Sequence, residues 1–244
     1  MSQARHLFCL PYAGGIAQSI YARWQQYLPH LRVHPLDIAG HGRRYTEAFD
    51  ADLAGAAQDI CRKITAHLAQ HGGTWMLYGH SMGSMLAYET LAAAHAAGLP
   101  GPEVCFLSGR NPLHVPRNRR EIHELPDEEF LQEIQQLGGT SQRFFENPEL
   151  VQMFLPVLRS DYRLVERWRL QQTPHISSAP LVFFSSADDT LLDHGRLHEW
   201  QNYSSQPLHI EHFAGDHFFL LPQAEQVCAR IASCLQKLAA QTAA

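Results

Sequence analysis

The chain has little charge and no long apolar run. Only 18% of its 244 residues are Asp, Glu, Lys or Arg, and the formal net charge is −5. This balance disfavours nucleic acid as a partner, because binding phosphates needs a basic surface. No stretch approaches the roughly 18 consecutive apolar residues of a membrane span. The polar N-terminus leads into an apolar run of about five residues, which is too short for a signal peptide. We therefore expect a cytoplasmic protein without a membrane partner.

Motifs for disulfides, metals and nucleotides are also missing. The five cysteines are odd in number and form no C-x-x-C pair, which predicts buried free thiols in a reducing compartment. Histidines such as His194 and His198 show no metal-ligand spacing backed by cysteines or carboxylates, so we expect neither a metal nor a cofactor. The turn at Gly14-Gly15 has no G-x-G-x-x-G or Walker pattern, which disfavours nucleotide binding.

Short apolar runs alternate with longer amphipathic stretches along the chain. We predict strands over residues 5–10, 33–37, 75–79, 104–108, 181–185 and 208–213. We predict helices over residues 19–28, 53–70, 82–97, 194–202 and 224–238. Repeated alternation of strand and helix indicates an α/β fold, with a mostly parallel central sheet flanked by helices. The length fits a single domain that spans residues 1–244.

The alternation breaks between Pro112 and Pro174. This segment contains two predicted helices, Asp127 to Leu137 and Pro148 to Arg169, without a convincing strand between them. Asn147 before Pro148 is typical of a helix start. We interpret residues 112–174 as a helical insertion that leaves the carboxyl end of a strand, where open α/β sheets bind ligands. We expect this insertion to act as a lid.

The run Gly79-His80-Ser81-Met82-Gly83 matches the motif G-x-S-x-G. A predicted buried strand precedes it and a predicted helix follows it, which is the setting of the nucleophilic serine in α/β-hydrolases. The serine must adopt a strained backbone conformation, and the chain then passes so close that only glycine fits at positions 79 and 83. The pattern therefore predicts Ser81 as a catalytic nucleophile.

A serine hydroxyl needs a base, and in this fold the acid and then the histidine follow the serine along the chain. His217 follows the predicted strand 208–213 and fits the base. Asp188 and Asp189 follow the preceding strand. Either could orient the imidazole. We favour Asp188 because it comes first after the strand, while Asp189 could shape the turn, and Asp193 is a weaker candidate.

Two backbone N–H groups are expected to stabilise the oxyanion. One belongs to Met82, the residue after the nucleophile, and the other comes from the loop after the first strand. We assign the second donor to Tyr12, with Ala13 as the alternative. Gly14-Gly15 lets this loop turn back towards the site.

These residues resemble type II thioesterases, the free-standing editing partners of nonribosomal peptide and polyketide synthases. The resemblance covers nearly the whole chain and includes seven runs, at residues 9–15, 40–43, 79–83, 125–139, 154–162, 188–189 and 215–220. It implies hydrolysis of an acyl thioester on the phosphopantetheine arm of a carrier protein. In this family the first aspartate of the pair is the acid, which supports Asp188. Ser84 departs from the family, where a second glycine is common.

Other functions remain open at this stage. A carboxylesterase or lipase would use the same triad on oxygen esters, and a noncatalytic binding module could keep the fold. A cluster of arginines could contact an acidic carrier protein or could simply be solvated; it comprises Arg110, Arg117, Arg119 and Arg120. We expect a monomer.

Overall fold

A computed structural model describes residues 3–117, 119–138 and 142–242. Within them lies a six-stranded sheet in the order β2-β1-β3-β4-β5-β6, and every neighbouring pair is parallel. The strands are β1 (Arg5–Leu10), β2 (Arg32–Pro35), β3 (Thr74–His80), β4 (Cys105–Ser108), β5 (Leu181–Ser186) and β6 (His209–Phe213). The predicted parallel α/β fold is confirmed.

Helices connect these strands. They are α1 (Ala17–Tyr21), α2 (Trp24–Tyr27), α3 (Leu53–His71), α4 (Met82–Ala96), α5 (Asp127–Leu137), α6 (Gln142–Phe145), α7 (Pro148–Arg167) and α8 (Ala224–Thr242). Two stretches are 3-10 helices, at Gly42–Arg44 and His194–Tyr203. The helix predicted over residues 19–28 is two short helices, and that over 194–202 has the tighter 3-10 form.

Alternate residues of each strand face opposite sides of the sheet and build two cores. On one face, Leu77 and Phe183 pack with the buried residues of α3 and α4. On the other, Met76 and Phe184 pack with α1, α2 and α8. Both faces of the sheet are therefore apolar and covered, as a parallel sheet requires.

The segment between β4 and β5 contains α5, α6 and α7. The helix α5 has the predicted bounds, and α7 ends two residues before its predicted end. The Asn147 side chain caps α7 by accepting hydrogen bonds from the backbone N–H groups of Glu149 and Leu150. Gly138, with φ +77°, follows α5, whereas Gly139, part of the run 125–139, lies outside the described residues. A third, smaller core holds these helices together; its buried members are Ile122, Phe130, Ile134 and Leu158.

The five cysteines are buried free thiols, as predicted. Among the described residues, none of the helices combines the length and the apolar character that crossing a membrane would require.

Candidate active site

Ser81 lies in a sharp turn between β3 and α4. Its φ of 56° and ψ of −111° make it the one non-glycine residue with positive φ among the described residues. Such a conformation is strained for a side chain that carries a Cβ. The Ser81 backbone N–H donates to the carbonyl of Ser108 at the end of β4 (2.8 Å), so the sheet itself holds the strained residue in place.

The two glycines of the motif are required by close approach of the backbone. A Cβ on Gly79 would lie 2.1 Å from the carbonyl oxygen of Gly83, and a Cβ on Gly83 would lie 2.5 Å from that of Leu10. Ser84 ties the same turn to β4, because its Oγ lies 2.9 Å from the Gly79 carbonyl and accepts from the Ser108 N–H (3.1 Å). The residue that departs from the family pattern is therefore part of the support of the turn.

His217 is buried and pairs with Asp189. Its Nδ1 donates to Asp189 Oδ2 at 2.8 Å, and Asp189 is only 1% exposed. Asp189 also shapes its turn, since its Oδ1 accepts from the backbone N–H of Leu191 (2.9 Å). The other aspartate, Asp188, has an exposed side chain.

The preference for Asp188 as the partner of His217 is therefore wrong in geometry. Position along the chain misled the prediction, because the backbone of Asp188 is tied to the loop after β6: its N–H donates to the Gly215 carbonyl (3.0 Å). The side chain of the next residue, Asp189, is the one turned inward, towards His217. The sequence did contain the signal, since Asp189 was the alternative.

His80 is a second buried imidazole beside His217. The two ring centroids are 4.8 Å apart, and His80 Nδ1 lies 2.8 Å from Ser108 Oγ. Burial, followed by the charge of His217, lowers the pKa of His80 well below its usual value. His80 therefore stays neutral at neutral pH and adds no second positive charge beside a protonated His217.

The loop after β1 carries the candidate oxyanion donors. Tyr12 and Ala13 line the same cavity as Ser81, Met82 and His217. Met82 is the first residue of α4, where backbone N–H groups lack partners within the helix. The loop folds back through a hydrogen bond from the Gly15 N–H to the Tyr12 carbonyl (2.9 Å).

A buried ion pair holds this loop from the side of the insertion. Asp161 of α7, fully buried, accepts from the Gly14 N–H (2.7 Å) and from His41 Nε2 (2.9 Å) through one oxygen, Oδ2. His41 Nδ1 lies 3.0 Å from the Ala39 carbonyl. Because both ring nitrogens face acceptors, this geometry favours the doubly protonated imidazolium of His41. Three separate runs of the family resemblance thus meet at one carboxylate, a contact that sequence reasoning missed.

The direction of the pKa shift of His41 agrees with this geometry. Burial alone lowers the pKa of His41, but the hydrogen bond to Asp161 and the charge of that carboxylate outweigh burial and raise the pKa above 6.5.

A cavity of about 620 Å³ opens between the carboxyl ends of the strands and the inserted helices. Ser81 and His217 lie in its wall, with Leu137 of α5 and with Tyr162 and Val165 of α7. Three apolar residues of α7 do not line it: Leu158 and Leu164 pack into cores, and Met153 is 67% exposed.

The four arginines of the predicted cluster all line this cavity. Arg120 pairs with Glu133 (2.6 Å), and Arg117 lies 3.6 Å from the buried carboxylate of Glu166. Arg110 has no ion-pair partner among the described residues, and its Nε is buried without a hydrogen bond. The cavity thus carries cationic charge that its own acidic residues do not neutralise.

The sequence resembles known proteins over nearly its whole length. The family model of the thioesterase domain matches residues 5–235. Linear gramicidin dehydrogenase LgrE of Brevibacillus parabrevis is 32% identical over 234 residues, which cover 94% of this chain and 87% of LgrE. The name of LgrE includes the word dehydrogenase, but the family model that matches this chain is that of thioesterases.

Solved structures agree in fold and in sequence. ClbQ, from the colibactin pathway of a nonribosomal peptide synthetase and polyketide synthase, superposes with a TM-score of 0.90 at 31% identity, covering 96% of this chain and 98% of ClbQ. BorB, the type II thioesterase of the borrelidin biosynthetic cluster, gives a TM-score of 0.82 at 31% identity, covering 94% and 92%. With its strained serine, histidine–aspartate pair and parallel sheet, the chain therefore belongs to the thioesterase family of α/β-hydrolases.

Proposed function

We propose that this thioesterase is a cytoplasmic type II enzyme, which removes acyl groups from the phosphopantetheine arm of carrier proteins. One observation carries the proposal. Ser81, strained in its turn, and His217, paired with a buried carboxylate, line one cavity with two candidate oxyanion donors. ClbQ comes from a pathway of nonribosomal peptide and polyketide synthesis, and BorB is a type II thioesterase of a biosynthetic cluster. The similarity to these two proteins supports a carrier-bound acyl thioester as the substrate.

The reaction follows from the protonation of His217. Since Nδ1 donates to Asp189, Nε2 carries the lone pair and accepts the proton of the Ser81 hydroxyl. The Ser81 oxygen attacks the thioester carbon, and the N–H groups of Met82 and Tyr12 stabilise the resulting anion. Collapse breaks the carbon–sulfur bond, and His217 returns its proton to the leaving thiolate. His217 then takes a proton from water, whose oxygen attacks the acyl-serine. The bond between the acyl carbon and the Ser81 oxygen breaks, the acid is released, and His217 returns the proton to the Ser81 oxygen.

The cavity suits the arm as well as the acyl group. A phosphopantetheine arm carries a phosphate, and arginine binds phosphate oxygens through several N–H groups at once. The arginines of the wall and the apolar residues of α5 and α7 lie on the same cavity. The inserted helices act here as the lid that keeps water away from the acyl chain.

The two neighbouring aspartates provide a matched test of the catalytic assignment. We expect Asp189→Asn to lower kcat by about 10⁴-fold, because the amide favours the wrong tautomer of His217, whereas Asp188→Asn leaves kcat near the wild-type value. Ser81→Ala abolishes formation of the acyl-enzyme. The measurement is mass spectrometry of acyl-loaded carrier protein before and after addition of each variant, with folding checked by circular dichroism. An equal loss in both aspartate variants would contradict the assignment of Asp189.

The proposed substrate class is tested by comparing two substrates. Wild-type enzyme is compared on acyl-carrier protein and on a simple oxygen ester with the same acyl group. We expect the higher kcat/KM on the carrier-bound thioester. Faster turnover of the oxygen ester would favour a carboxylesterase, while the Ser81, His217 and Asp189 assignment would stand.

A further inference from the structure

Three histidines from three different elements converge at the amino-terminal end of the sheet. His6 lies on β1, His34 on the edge strand β2 and His67 on α3. His6 Nδ1 lies 3.0 Å from His34 Nε2 and 3.1 Å from His67 Nε2. All three potential ligand atoms lie within 4.8 Å of one another.

Hydrogen bonding alone does not account for this arrangement. A ring nitrogen carries either one proton or one lone pair, so His6 Nδ1 cannot make two well-directed hydrogen bonds to the two nitrogens that face it. A single ion that accepts a lone pair from each ring would satisfy all three nitrogens together.

Two of the three separations approach the spacing of ligands around a transition metal. Zinc binds imidazole nitrogen at about 2.0–2.1 Å with tetrahedral geometry, which places neighbouring ligand nitrogens roughly 3.3 Å apart. The two short separations, 3.0 and 3.1 Å, come close to this value before any side chain has moved. Neutral imidazoles also suit zinc, copper, nickel and cobalt better than the hard cations calcium and magnesium.

We propose that His6, His34 and His67 bind one divalent transition-metal ion, with Zn²⁺ the best-fitting choice. Water or His71 completes the coordination; His71 follows His67 by one turn of α3, and their ring centroids are 4.5 Å apart. Arg32, the charged neighbour of the cluster, is exposed, so its guanidinium can extend into water. The ion would tie the edge strand β2 and the helix α3 to β1.

This site is distinct from the catalytic one. Trp75 of β3 is the register partner of His6 and precedes Ser81 by six residues, a distance of about 20 Å along an extended strand. None of the three histidines lines the catalytic cavity. The proposal therefore does not depend on the proposed function, and its test uses readouts other than catalysis.

The test uses full-length protein without an affinity tag, stripped with a chelator. We expect one equivalent of Co²⁺ to bind and give the intense visible absorption of a tetrahedral site, Zn²⁺ to displace it, and Zn²⁺ to raise the Tm. Elemental analysis after gel filtration gives the stoichiometry. His67→Ala and His34→Ala, at half-buried positions, each lose more than about 100-fold in affinity, beyond the range seen when only an outer-shell partner is removed.

His95→Ala is the matched control, because His95 is exposed on α4 and pairs with another histidine, His175, at a ring distance of 5.2 Å. This variant keeps wild-type binding. The proposal is overturned if the wild-type protein binds no stoichiometric metal. It is overturned equally if His67→Ala and His34→Ala bind as tightly as His95→Ala, since the metal then lies on other surface histidines.

Discussion

Two buried serine hydroxyls show how much a single residue depends on its partners. Ser84 Oγ accepts from the Ser108 N–H and lies within hydrogen-bond distance of the carbonyls of Gly79 and Ser108. Ser160 Oγ of α7 is buried without a hydrogen-bond partner among the described residues. Removing one partner of a buried hydrogen bond leaves the other group unsatisfied, which lowers stability. Removing a buried hydroxyl that has no partner breaks no hydrogen bond.

We therefore expect the substitution of serine by alanine to have different effects at these two positions. Ser84→Ala lowers the free energy of unfolding by about 1–3 kcal/mol, because it leaves the Ser108 N–H unsatisfied beneath Ser81. Ser160→Ala leaves that free energy unchanged or raises it. Urea unfolding followed by tryptophan fluorescence measures both. Equal destabilisation by the two variants would show that side-chain volume, and not hydrogen bonding, governs these positions.

The contrast between Asp188 and Asp189 explains where sequence reasoning about single residues stops. Motif and chain order predicted Ser81 and His217, and the structure brings both to one cavity. Which of two adjacent aspartates faces inward depends on the hydrogen bond of the Asp188 backbone to Gly215, in the loop after β6. That contact joins residues far apart in sequence, so no local pattern predicts it.

At the scale of elements, periodicity predicted most of the strands and helices, because each one buries a regular apolar face. The 3-10 form of the segment His194–Tyr203 was not predictable, since its apolar spacing also fits an α-helix. Contacts between elements were missed more often. Asp161 of α7, His41 and Gly14 come from three distant segments, and the histidine cluster joins two strands and a helix.

The pair of His41 and Asp161 predicts a pH-dependent stability. Since the pKa of His41 is raised in the folded state, its contribution is fully present below about pH 6.5, the unfolded value. It is lost as the pH rises through the folded value. We expect His41→Gln to cost about 3–5 kcal/mol of unfolding free energy at low pH, because a buried carboxylate then lacks its partner.

Urea unfolding over a pH series measures this effect. The difference between wild type and His41→Gln shrinks as the pH rises above 6.5. The exposed His95→Gln serves as the control and shows a small difference that does not follow this course. A gap between wild type and His41→Gln that is constant, or that widens with pH, would show that His41 is neutral in the folded protein.

At the scale of the whole molecule, charge is unevenly distributed. The net charge is −5, yet four arginines line the cavity that contains Ser81 and His217. Burial, followed by repulsion from Arg117, lowers the pKa of Arg110 to about 10, which leaves the guanidinium charged at neutral pH. A cation kept without a carboxylate partner is available to an anionic part of the substrate.

We expect Arg110→Met to raise KM for acyl-phosphopantetheine thioesters by about 10- to 100-fold, the equivalent of one charged hydrogen-bonding contact. The same variant leaves KM for acyl-N-acetylcysteamine nearly unchanged, because that thioester has no phosphate. Arg62→Met, on the exposed side of α3, is the control and affects neither substrate. Equal losses on both thioesters would assign Arg110 to the framework of the cavity.

The hydrogen bond from the Gly14 N–H to Asp161 limits how the cavity around Ser81 can open. The loop that carries one proposed oxyanion donor is fastened to the second half of α7, so withdrawing that half would take the donor away from Ser81. Movement that admits a bulky acyl chain and still leaves the enzyme ready to react is confined to α5, α6 and the part of α7 before residue 161. A probe attached at Met153 would therefore report gating, whereas one near Val165 would stay still throughout turnover.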